Sequence, residues 1–144
     1  HPFELSQYLL WPSYVSLQSA LSYHGLIPEA VYTTTCVTSA RPKIFKNEFG
    51  TFEFKKVPNK NFMVGVERIE EGDYIYFVAK PWKALCDYIY CYKKNWNSLK
   101  PLAESLRIEV DDLPKLNEDE SKRLIEFYHH KRIEKFLKGV LSEY

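Results

Sequence analysis

No run of apolar residues in this 144-residue chain approaches the roughly 20 that a membrane-spanning helix needs, so no helical span is expected. Glycine is scarce: Gly25, Gly50, Gly65, Gly72 and Gly139 each stand alone, which excludes a glycine-rich phosphate loop. Cysteine is scarce too. Cys36, Cys86 and Cys91 are odd in number and lack CxxC spacing, so neither a closed set of disulfides nor a zinc quartet is expected. We read them as three reduced, part-buried thiols of a cytoplasmic protein. The opening HPFELSQYLLW has no basic stretch and no small-residue cleavage site, so it does not read as a secretory leader. The chain also lacks an initiator Met, and we expect a segment to precede His1.

What the chain has is apolar and aromatic material, 45% and 16% of its residues. That suffices for one domain of this size, which buries about 70% of the surface its unfolded chain exposes. The net charge is only +1, but it is segregated. Residues 41–60 carry six basic against two acidic side chains, residues 101–120 two against seven, and residues 121–144 six against three. Such blocks can orient an encounter with a charged partner.

Periodicity divides the chain in two. Phe3, Leu5, Tyr8 and Leu9 are spaced as a short helix ended by Pro12. In SLQSALSYHG, Ser16 reads as an N-cap, Leu17, Ala20, Leu21 and His24 share a stripe, and Gly25 follows the C-cap. From Val31 the period becomes two. VYTTTCVTS reads as a strand, and Ile44–Lys46 and Thr51–Lys55 as a hairpin turning at Asn47–Gly50. FMVGVERI and DYIYFVA read as further strands, the second central because both faces are apolar. Helical spacing resumes at Pro81, with Ala84, Leu85, Tyr88, Ile89 and Tyr92 on one stripe. SLKPLAESLRI follows, then a helix capped by Asn117 with Glu120 completing a capping box. The stripes of residues 124–128 and 133–144 are out of phase by about 150°, which predicts a break at residues 129–132.

Catalytic constellations are hard to assemble from these parts. Ser16, Ser19 and Ser22 all miss the i+3 or i+4 spacing that would bring a hydroxyl to His24, and no GxSxG elbow is present. Adjacent His129 and His130 diverge by about 100° on a helix, and there is no HExxH motif, so no metal site is expected. Glu53 and Lys55 form an ExK triplet on one strand face, as in metal-dependent nucleases, although ExK is also what a solvated strand looks like. Arg41, Lys43, Lys46, Lys55, Lys56 and Lys60 come from one hairpin region, enough for a sequence-independent contact with an anionic partner or with phosphates.

The order of segments carries a further signal. YVSLQSALSYHGLIPEAVYTTTCVTSARPKIFKNEFGTFEFKKV, then AKPWKALCDYIY, resembles the C-terminal domain of the AbiEi-type antitoxin family. The matching positions are Ser16, Ser19, Ala20, Leu21 and His24 through Glu29. Phe49, Gly50, Phe52 and Phe54 follow, and Pro81, Lys83, Ala84, Leu85 and Asp87 complete the set. The resemblance covers residues 13–92 and extends loosely into the helical tail. It implies a prokaryotic, non-enzymatic regulator of a toxin–antitoxin or abortive-infection system. Such a protein neutralises a nucleotidyltransferase-like toxin and assists repression of its own operon. A winged helix-turn-helix that reads operator DNA is implied ahead of residue 1, outside this chain.

We therefore expect a single α+β domain over residues 1–144. It has two short N-terminal helices, a mainly antiparallel or mixed sheet at about residues 31–79, and C-terminal helices at about residues 81–143. We expect no cofactor and no membrane partner. The expected partner-facing surface is Arg41, Lys43, Lys46, Lys55 and Lys56. The alternatives are a metal-dependent nuclease using Glu53 and Lys55, and an interaction domain for another partner.

Overall fold

A computed structural model describes residues 1–58 and 62–144. The chain runs α1 (Pro2–Leu9), β1 (Ser13–Val15), α2 (Leu17–Tyr23), β2 (Thr34–Thr38), β3 (Lys43–Asn47), β4 (Gly50–Lys56), β5 (Val66–Glu71) and β6 (Tyr74–Ala79). It continues through α3 (Pro81–Cys91), α4 (Leu99–Leu106), a 3-10 turn (Val110–Asp112), α5 (Glu118–Tyr128) and α6 (Lys131–Ser142). The fold is α+β, with helices before and after a six-stranded mixed sheet of order β3-β4-β2-β1-β6-β5.

The sheet does not begin at residue 31. Its β1 lies between the first two helices, pairing antiparallel with β2 and parallel with β6. Three residues are too few to show a period, and Ser13, Tyr14 and Val15 are all buried, so no alternation marks them as a strand. β1 is nonetheless the centre of the architecture: it joins the β3-β4-β2 half to the β6-β5 half. DYIYFVA lies inside the sheet as its two apolar faces required, whereas FMVGVERI becomes extended only from Val66.

Side chains of paired residues share a face, so the registers sort the sheet. Phe52 and Phe54 lie on the face of Cys36, Val15 and Val78, where α1 packs and Phe3 meets the Tyr76 ring edge-on at 5.5 Å. Thr51, Glu53 and Lys55 share the opposite face with Thr35, Val37 and Tyr14, and there α3 lies over the sheet with α6 behind it.

Helix termini follow local chemistry. Asn117 accepts from the Glu120 amide, and α5 ends at His129 in the left-handed region, where the predicted break falls. His130 then caps α6 through Nδ1. Two expectations fail at residue level. Tyr8 faces solvent and leaves the α1 stripe. Ser16 occupies the N-cap position of α2, but Leu17 is left-handed at φ 57° and the Ser16 hydroxyl makes no capping bond; it serves α3 instead.

Candidate functional site

The β3–β4 hairpin is the exposed basic element. Its connection is the two residues Glu48 and Phe49, with Asn47 Oδ1 accepting from the Phe49 amide at 2.8 Å. Gly50, at φ +126°, takes a conformation that side chains disfavour. Pairing Asn47 with Gly50 sets the register Lys46↔Thr51, Phe45↔Phe52, Ile44↔Glu53 and Lys43↔Phe54. That register divides the cations. Lys46 and Lys55 project on the α3 side of the sheet, Lys43 and Lys56 on the α1 side, and Arg41 stands in the loop before β3. They surround one strand pair without forming a single flat patch; Lys60 lies outside the described residues.

On the α3 side the hairpin borders an open cleft of about 570 Å3. Its floor is Thr35, Thr51 and Glu53 from the sheet, and Ile44 and Lys46 form one rim. The Ile27–Thr33 loop and the end of α4 form the other rim, where Tyr32 is 91% exposed. Arg107 holds that loop to α4 through Glu29 at 2.9 Å. Tyr92 closes the inner end, its hydroxyl bonded to Gln18, with Lys55 Nζ 5.1 Å from its ring centroid. The cleft thus mixes an apolar wall, hydroxyls, the carboxylates of Glu29 and Glu53 and the Lys46 ammonium, a lining suited to binding. Among the described residues no group of three His, Cys, Asp or Glu side chains could hold a metal ion. Glu53 therefore has no such set around it.

A second polar cluster lies beneath α3 and is sealed. Lys83 and Asp87, one turn apart, are both fully buried, with Nζ 4.0 Å from the carboxylate. Asp87 accepts from Ser16 Oγ at 2.7 Å, from Tyr14 Oη at 2.9 Å and from Tyr128 Oη. Among the described residues Lys83 Nζ has no hydrogen-bond partner, and it stands 3.3 Å from the centroid of the Phe127 ring. Burial pushes the Lys83 amine below its usual range, against the pull of Asp87. Burial likewise pushes the Asp87 carboxyl up, opposed by Lys83 and by the three hydroxyl donors. Through these contacts the buried cluster ties β1, α3 and α5 together.

The resemblance had already singled out Ser16, Lys83 and Asp87, but not their meeting, nor Tyr14 and Tyr128. One local sign was available. α3 buries Trp82, Lys83, Ala84, Leu85, Cys86, Asp87 and Ile89, so an i,i+4 ion pair sits in a helix enclosed almost all round. The cleft partners Gln18, Tyr32 and Tyr92 are far apart in sequence and left no such sign.

Elsewhere, Ser19 of α2 and His24 at its C-terminal cap do structural work. Ser19 bonds the β2 backbone, and His24 Nε2 lies 2.8 Å from the Ala79 carbonyl oxygen. No helix among the described residues is long and apolar enough to cross a membrane. No protein-family model matches the chain, and no curated protein matches it.

Proposed function

We propose that this chain is a non-enzymatic, antitoxin-like regulatory domain. In this reading it neutralises a nucleotidyltransferase-like toxin in the prokaryotic cytoplasm. It also assists repression of its operon, with operator DNA read mainly by a domain ahead of residue 1. The observation that carries the reading is the division of its polar groups. The enclosed ion cluster is turned wholly inward, while Arg41, Lys43, Lys46, Lys55 and Lys56 surround an exposed hairpin beside an open cleft. This is the distribution of a domain that binds a partner and holds itself together with the rest. The order of motifs, which resembles that of the AbiEi-type antitoxins, supports a toxin as that partner.

Growth rescue tests it. The full-length protein, and separately residues 1–144, are co-expressed with the product of the neighbouring gene. Rescue by residues 1–144 from a toxic neighbour is expected, and charge reversal at Lys43 and Lys55 together should abolish it. Failure of both proteins against a demonstrably toxic neighbour, or a harmless neighbour, sinks the reading.

A metal-dependent nuclease remains the second reading, because Glu53 and Lys55 project from one face and Glu53 lies in the open cleft. It requires nucleolytic activity that Glu53→Ala removes with the fold intact. If neither activity is found, the bare interaction domain is left.

A further inference from the structure

β3 is an end strand of the sheet, and its free edge points away from β4. In a hairpin with a two-residue connection, the flanking pair Asn47↔Gly50 exchanges both backbone bonds, and every second pair after it does the same. Phe45 and Lys43 therefore bond to β4. Ile44 and Lys46 turn their N–H and C=O groups off the edge, unpaired within the sheet. An unpaired edge on an open sheet is a template for another strand.

We infer that this edge accepts an extended acidic segment of a partner protein as an additional β-strand. The charge arrangement favours that occupant. A strand laid beside β3 points alternate side chains to the two faces of the sheet. It meets Lys46 on one face and Lys43 on the other, so acidic side chains on either face find a cation. A nucleic-acid backbone lying on one face reaches only half of them. Two copies of β3 paired edge to edge would add positive charge to positive charge, with no acidic side chain on either strand to offset it. Side chains directed to the α3 side enter beside Ile44, which is 60% exposed at the cleft rim. The inference rests on reading the domain as a partner-binding module, and it names the chemistry of that partner.

The test uses the full chain and a fluorescent, N-acetylated peptide of about eight residues, an ordinary strand length, alternating Glu with Val and Thr. The comparators are the same peptide with Lys for Glu and an oligothymidylate of equal negative charge. Saturable binding of the acidic peptide alone is expected. Ile44→Pro removes an off-edge N–H without altering charge or the β3–β4 ladder, and should weaken binding about tenfold or more. Ile44→Ala keeps the N–H and should retain binding. Should Ile44→Pro disturb the fold, hydrogen exchange on the unaltered chain gives the same answer: the peptide should slow the Ile44 and Lys46 amides. Oligothymidylate binding that Ile44→Pro leaves untouched would make the hairpin a phosphate surface and overturn the inference. So would absence of peptide binding, the lysines then serving only to block strand pairing. Self-association lost in Ile44→Pro would assign the edge to a second copy, whose β5 presents Glu67, Glu70 and Glu71, and would overturn it equally. Growth rescue is scored separately in cells, so failure of strand addition leaves the neutralisation reading to stand or fall alone.

Discussion

At the residue scale, Asp87 and Lys83 are not equivalent partners. The carboxylate is held by three hydroxyl donors, whereas the ammonium faces aromatic rings and makes no hydrogen bond among the described residues. Asp87→Ala removes the acceptor for Tyr14, Ser16 and Tyr128 and strands the lysine, and should cost about 3–5 kcal/mol. Lys83→Met fills a similar space and leaves the carboxylate its three donors, so it should cost roughly half of that or less. Urea unfolding of the two variants gives the comparison; equal losses would mean that the ammonium is the keystone. The Lys83 methylenes also need Gly65, since a Cβ there would lie 2.9 Å from Lys83 Cβ. Glycine at that position thus serves a side chain eighteen residues on as well as its own left-handed backbone at φ +75°.

At the scale of elements, helix α6 shows how packing reverses a propensity. In an exposed helix, replacing glycine by alanine is stabilising by about 1 kcal/mol. Gly139 lies in the middle of α6, but the Asn97 carbonyl oxygen approaches so closely that an added Cβ would stand 1.9 Å away. Gly139→Ala should therefore be destabilising by about 2–4 kcal/mol, through displacement of the segment ahead of α4. Gly25→Ala provides the contrast. Its space is open and its φ is +72°, so only the left-handed backbone is penalised, by about 1–2 kcal/mol. Thermal melts of the two variants should rank Gly139→Ala as the more damaging, and the reverse order would refute this account of the α6 contact. The hairpin, α3, α5 and α6 were legible as elements because each carries its own period and stop signals. β1 was not, because its three residues become a strand only when β2 and β6 flank them.

For the whole molecule, the buried thiols set the alkaline limit. Burial raises the pKa of Cys36 to about 12, and raises Cys86 and Cys91 in the same direction. An unfolded thiol ionises near 8.5, so above about pH 8.5 the unfolded chain releases protons that the folded chain keeps. The sign is a loss of stability as pH rises. The contribution of Cys36 is complete below about pH 8.5 and gone above about pH 12, with a slope of up to about 1.4 kcal/mol per pH unit. The lowered Lys83 amine acts in the opposite sense below its unfolded value of about 10.4 and offsets part of one thiol. Chemical unfolding between pH 8 and 10 should show falling stability, and Cys36→Ala should flatten the profile. A profile that does not fall would mean that the thiols ionise in the folded state.

What the sequence determined by itself was local. The existence of the strands from β2 to β6, a hairpin turning within Asn47–Gly50, Pro81 opening α3, Asn117 capping α5 and a break within residues 129–132 all follow from periods and stop signals within a few residues. The motif order, read as a resemblance, also nominated Ser16, Lys83 and Asp87. Only the tertiary structure decided what those residues do. Ser16 gives its hydroxyl to a carboxylate 71 positions away rather than to its own helix, because β1 delivers it to the buried face of α3. Register, not composition, decided that Lys43 and Lys46 point to opposite faces of the sheet. Strand order decided that β3 is left with an open edge, since pairing partners are chosen by the sheet as a whole and no segment encodes its neighbour alone.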